Sequence, residues 1–104
     1  MASVFNHVAW ELTELEPSRL MDADGLSAMV VAAASAIGMP ALGPPVVREA
    51  PNGIVVGMLC RDGHIVLHSA PADGICFVDI AARAPTEVER GLDVIVRRLG
   101  SLSP

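Results

Sequence analysis

The chain has 104 residues, 52% hydrophobic and 18% charged, and twelve acidic against seven basic side chains give a formal net charge of −5. That length predicts one domain over residues 1–104, and so apolar a composition excludes intrinsic disorder. All seven basic residues are scattered arginines, Arg97-Arg98 being the one adjacent pair, and the aromatics are only Phe5, Trp10 and Phe77. There is neither a basic stripe for phosphates nor a stacking surface for bases, so nucleic acid is excluded as a partner class.

Cys60 and Cys76 are too few for a disulfide framework and too isolated for a zinc site, and each sits in an apolar run as a small buried hydrophobe would. Met1 to Glu11 has no basic region ahead of an apolar stretch, so no signal peptide is expected. Gly25 to Val47 carries no charge, but Gly38, Pro40, Gly43, Pro44 and Pro45 interrupt it. Its continuous apolar part is about half of the ~20 residues a membrane span needs. A soluble, cytoplasmic protein with no membrane partner is the expectation.

From His7 to Leu15 polar and apolar residues alternate, with Val8, Trp10 and Leu12 on one side and His7, Glu11 and Thr13 on the other, which predicts a half-buried strand. Pro17 and Ser18 break it. Leu26, Met29, Val30, Ala33 and Ile37 then fall on one face of a helix. Asp22 or Asp24 caps that helix and Gly38 with Pro40 stops it. Its other face, with Ala28, Val31 and Ala32, is also apolar. A covering partner or plain alanine richness would each account for that.

Val46 to Glu49 and Ile54 to Cys60 are strand candidates around the turn signal Pro51-Asn52-Gly53. Asp62-Gly63 predicts a second turn, followed by a strand from His64 to Ser69. Pro71 to Gly74 turns the chain again into a strand from Ile75 to Ala81. The last element is a helix in which Thr86 and Glu89 fit a capping box. Its buried stripe is Val88, Leu92, Ile95 and Leu99, Arg97 and Arg98 lie at its negative end, and Gly100 ends it. Strand, helix, four strands, helix, with tight turns between the later strands, predicts an α+β two-layer sandwich: a mainly antiparallel sheet with both helices on one face. The other sheet face is rich in apolar residues, and its burial in a dimer is the economical solution.

Chemistry is sparse. No Gly-rich phosphate loop, HExxH, CxxC or GxSxG occurs. His64 and His68 share a strand face, but four strand residues separate them by roughly 13 Å. One metal ion, with bonds of about 2 Å, does not hold both, so no metal is expected. Asp79 is an acid inside an apolar strand, either a satisfied polar group on the open face or an interface residue.

Asp62-Gly63-His64-Ile65-Val66-Leu67-His68-Ser69-Ala70-Pro71 resembles the core motif of the prokaryotic S-adenosylmethionine decarboxylases: Glu-Ser-His, an apolar stretch, His-Thr and a Pro two residues on. Val78-Asp79-Ile80 resembles the family's following strand, and His7 with Glu11 matches its first one. The resemblance spans about His7 to Leu99. It implies a two-layer α/β sandwich that stacks its sheets in a dimer. It also implies a pyruvoyl group made from the motif Ser by backbone cleavage, which serves as electron sink for decarboxylation in polyamine (spermidine) synthesis.

The departures bear on that chemistry. Gly63 stands at the position of the self-processing Ser, Asp62 at that of the Glu, and Arg83 at that of the proton-donating Cys, while the processing His is kept as His68. Gly has no hydroxyl with which to attack a carbonyl, so no pyruvoyl cofactor is expected, and side chains do not replace that electron sink. Cleavage at Ser69 instead is not expected. The expectation is a catalytically silent relative, a pseudoenzyme that binds an adenosyl ligand or acts as a regulatory subunit. It would be a homodimer or a heterodimer with an active paralogue, with Glu11, Asp62, Gly63, His64 and Arg83 as ligand contacts and His68 as the retained catalytic position. Two alternatives stand beside it. One is a non-pyruvoyl enzyme using His64 or His68 as base. The other is a structural or interaction domain that assembles through its sheet face.

Overall fold

A computed structural model describes residues 3–100. Five strands, β1 (Phe5–Leu12), β2 (Val46–Ala50), β3 (Gly53–Cys60), β4 (Gly63–Ala70) and β5 (Ile75–Arg83), form one sheet in the order β1-β5-β4-β3-β2. Every pairing is antiparallel. The last four strands are a meander of tight turns, and the first strand joins it at the β5 edge, which leaves β1 and β2 as the two edges. Helices α1 (Pro17–Leu20), α2 (Ala23–Ala36) and α3 (Val88–Gly100) complete the chain. The expected α+β architecture is the one observed.

Alternation sorts the side chains of the sheet. On β3, β4 and β5, Val56, Met58, Ile65, Leu67, Cys76, Val78 and Ile80 are buried beneath the helices. From α2 come Leu26, Met29, Val30, Ala33 and Ala34, and from α3 Val88, Ile95 and Leu99. Burial of this kind contributes roughly 1.5–3 kcal/mol for each large apolar side chain, so this layer holds the fold together. α2 and α3 pack closely at Gly91, where an added Cβ would lie 3.4 Å from Ile37 Cδ1.

Several boundaries differ from the sequence pattern. β1 begins at Phe5 and ends at Leu12, and Pro17 opens a one-turn helix that the strand pattern had hidden. Trp10 faces the helix side as the alternation requires, but on an edge strand it stays 59% exposed. Asp22, not Asp24, caps α2 by accepting from the Gly25 amide at 3.0 Å. The turn after β3 consists of Arg61 and Asp62, because Gly63 already pairs with Cys60; Asp62 carries the positive φ of 60°. Short acidic side chains tolerate that conformation. The expected capping box is not formed: α3 starts at Val88, one residue late for Thr86 to be its cap. The Thr86 carbonyl instead accepts from Asn6 Nδ2 at 2.9 Å and from the Val88 amide at 3.1 Å. That stitches the start of α3 to the first strand. Ala84-Pro85, just before, is a cis peptide.

Among the described residues no helix is long and apolar enough to cross a membrane.

Candidate functional site

The face of the sheet away from the helices is uncovered. β1 presents Phe5, His7, Ala9 and Glu11 there, β5 presents Phe77, Asp79, Ala81 and Arg83, and β4 presents His64, Val66 and His68. In its middle lies a small polar island. Asp79 Oδ1 is 2.5 Å from His7 Nε2, and Asp79 Oδ2 is 2.8 Å from His64 Nε2. Register explains the meeting: His7 and His64 both sit opposite Ala81, one on each neighbouring strand, and Asp79 is the next β5 residue on the same face. Partial burial alone would push the Asp79 carboxyl up. Hydrogen bonds from His7 and His64, with the attraction of both rings, outweigh that and hold it below the ordinary carboxylate value. Asp79 is thus a satisfied polar group on the open face.

The joining of His7, Asp79 and His64 was not legible from spacing, since only the sheet order sets β1 beside β5. His68 lies further along the same face, exposed, with its ring centroid 6.3 Å from that of Phe77. Glu11 is opposite Phe77 and exposed.

The other expected contacts stand at the far end of the sheet. Arg83 is opposite Phe5, six strand residues from the Glu11 level, or roughly 20 Å. Asp62 is exposed in its turn, and its carbonyl accepts from the Arg83 amide at 3.1 Å. Within one chain, therefore, Glu11 is not brought to Asp62, Gly63 and Arg83.

Gly63 differs from its neighbours in facing the helix layer, opposite buried Ala82. A Cβ there would lie 2.3 Å from the Ala81 carbonyl oxygen, 2.9 Å from Met39 Sδ and 3.0 Å from Ala82 Cα. The methionine can swing aside, but the backbone of β5 cannot without shifting the strand. Behind Met39 is an apolar cleft of about 250 Å³, lined also by Val31, Ala34, Pro44 and Met58. A larger cleft of about 650 Å³ lies elsewhere, between Met21, the β2–β3 turn and Pro71–Asp73, and holds none of the expected site residues.

Ser69 is buried, donating to the Leu20 carbonyl at 2.8 Å and accepting from the Ile54 amide at 3.2 Å, so its hydroxyl is committed to the fold. Cys60 and Cys76 are buried free thiols, and burial pushes Cys76 up to about 12. Among the described residues no group of three or more His, Cys, Asp or Glu side chains is placed to hold a metal ion.

The model of one protein family, S-adenosylmethionine decarboxylase, matches residues 6–103. The chain belongs to that family. It is similar to the crystal structure of the adenosylmethionine decarboxylase from Aquifex aeolicus, with a TM-score of 0.86 and 16% identity over 96% of this chain and 83% of that one. At that identity the likeness speaks for the fold. No curated protein matches the chain.

Membership in the S-adenosylmethionine decarboxylase family raises the question of the pyruvoyl group, which the motif resemblance places at position 63. Such a group is built from a serine of the chain itself. Gly63 supplies no hydroxyl, and β5 leaves no room for a Cβ. The residues present do not fit that group.

Proposed function

We propose that this chain is a catalytically silent member of the S-adenosylmethionine decarboxylase family, a cytoplasmic protein that binds an adenosyl ligand or serves as a regulatory subunit linked to polyamine synthesis. The observation that carries this reading is Gly63. It lacks the nucleophile and, in addition, sits where the backbone of β5 closes over the missing side chain. Arg83 at the position of the proton-donating Cys points the same way. Two separate parts of the chemistry are gone while the frame around them is kept.

In this reading Glu11, Asp62, His64 and Arg83 supply polar ligand contacts, with His68 retained beside them. Arg83 suits a carboxylate, which a guanidinium can hold through two parallel hydrogen bonds. Because Glu11 and Arg83 lie at opposite ends of one sheet face, a single small ligand touches both only if a second protomer, identical or paralogous, covers that face.

Calorimetric titration of S-adenosylmethionine and of its decarboxylated form tests the ligand part. Dissociation constants in the micromolar range, about −8 kcal/mol, are expected. Absence of heat at millimolar ligand would rule the adenosyl site out and leave an interaction domain.

One observation favours a second reading, a non-pyruvoyl enzyme with His64 as base. Asp79 orients His64 through Nε2, and a carboxylate-oriented imidazole is the usual arrangement of a general base. This reading requires a turnover that His64→Gln abolishes while the fold survives.

A further inference from the structure

In four places an Asp or Asn precedes glycine: Asp24-Gly25, Asn52-Gly53, Asp62-Gly63 and Asp73-Gly74. Such a pair sets a side-chain carbonyl carbon within reach of the next amide nitrogen, and glycine has no side chain to hinder the approach. Among the four, Asn52 alone carries an amide. Its leaving group is ammonia, whereas a carboxylate would have to expel an oxide. Two of the aspartate pairs are also held. The Gly25 amide donates to Asp22 Oδ1 at 3.0 Å, and the Gly74 amide donates to the Pro71 carbonyl at 3.2 Å.

Asn52 is exposed at the tip of the β2–β3 hairpin, where Ala50 pairs with Gly53 and the loop is Pro51 and Asn52. β2 is an edge strand, and the closing pair of an edge hairpin opens locally at little cost, which frees the Gly53 amide. The glycine is fixed by packing. A Cβ on Gly53 would lie upon the Ser69 carbonyl, 2.8 Å from its carbon, and 3.3 Å from Pro71 Cδ. The backbone of β4 thus demands a glycine directly after Asn52, and the reactive pair follows from the way the strands pack.

We propose that Asn52 is a self-modification site, at which the Gly53 amide nitrogen converts the asparagine to aspartate and isoaspartate. The deprotonated nitrogen adds to the Asn52 side-chain carbonyl carbon. The bond from that carbon to the side-chain nitrogen breaks, ammonia leaves with a proton from solvent, and a cyclic imide remains. Water then opens the imide at one of its two carbonyls, giving either aspartate or isoaspartate. The sum is amide plus water to acid plus ammonia, with nothing oxidised or reduced. Asn6, the other asparagine, precedes His7 inside β1 and donates Nδ2–H to the Thr86 carbonyl at 2.9 Å, so it is pinned where Asn52 is not.

The product changes its surroundings in two ways. Asn52 lines the cleft of about 650 Å³ together with Glu49 and Asp73, and no basic side chain lines it. A third carboxylate there is repelled by the first two. Isoaspartate also inserts a side-chain carbon into the main chain, and a two-residue loop fixes the register of its strands. Modification therefore loosens β2 from β3 while β4 and β5 stay paired.

Incubation of the full chain in mildly alkaline buffer, followed by intact mass and peptide mapping, tests this. The chain is expected to gain the mass difference between an amide and an acid, at Asn52 and not at Asn6. Position 52 should give two products of equal mass, aspartate and isoaspartate. Asn52→Gln should remove the gain, because glutamine would have to close a larger ring. Aspartate alone at position 52 would mean direct hydrolysis and overturn the part given to Gly53. No gain over a period in which the free peptide of residues 49–54 converts fully would show that the hairpin keeps Gly53 out of reach, and overturns the proposal. In the modified chain, amides of β2 should exchange hydrogen faster while those of β4 keep their protection. Unchanged exchange in β2 overturns the loosening.

Discussion

Gly63 shows how much one position can carry. In the sequence it reads as half of a turn dipeptide and as a lost nucleophile. In the structure it is a strand residue, and what matters is the 2.3 Å between its missing Cβ and the Ala81 carbonyl oxygen. Gly63→Ser should therefore destabilise the protein by about 1–3 kcal/mol, as overpacking against a rigid neighbour does. Urea denaturation measures the loss, and the same sample should show no cleaved chain in its intact mass. A variant as stable as the wild type would mean that β5 yields freely at this point.

The neighbouring island makes its own prediction. Asp79 has its folded pKa lowered, so its contribution to stability is fully present above the unfolded value near 3.8 and is lost as pH falls through the lower folded value. Asp79→Asn should cost about 1–2 kcal/mol at pH 6, and the gap to the wild type should narrow at pH 3. Denaturation at the two pH values checks both the size and the sign. Of these residues, Asp79 as a polar group on the open face was legible in the sequence. The bond from Asp79 to His7 was not, because 72 residues separate them and no local pattern encodes which strand closes on which.

At the scale of elements, strongly periodic segments were readable and their ends were not. The stripe Leu26, Met29, Val30 and Ala33 is buried as 3.6-residue spacing requires. The start of α3 was misplaced because Thr86 has the right side chain for a cap, while its carbonyl is held by Asn6 on a distant strand. Tertiary contacts also decide how α3 ends. The Arg19 guanidinium of α1 donates Nη1–H to the Arg98 carbonyl at 2.7 Å, satisfying an acceptor in the last turn. Arg19→Ala should lower stability by about 1 kcal/mol, and the last amides of α3 should exchange hydrogen faster while those of β4 keep their protection. Uniform loss of protection would place the role of Arg19 elsewhere.

At the scale of the whole molecule, layering was legible and the site was only partly so. Alternating strands and two helices that each carry an apolar stripe dictate helices on one sheet face and leave the other bare, with Leu59 72% exposed on it. The convergence of the site was not dictated in that way. Spacing placed Glu11 on a strand and left Arg83 just beyond one that runs on to include it, and only the register shows the two at opposite ends of the open face. The family frame is thus kept while position 63 holds a glycine at which β5 leaves no room for a side chain, and the proposed silence rests on that. Release of labelled carbon dioxide from carboxyl-labelled S-adenosylmethionine by the purified chain tests that account most directly. Silence predicts release no faster than a protein-free blank. Release that exceeds the blank and disappears on His68→Gln would contradict it, and would mean that this family frame decarboxylates without a serine at position 63.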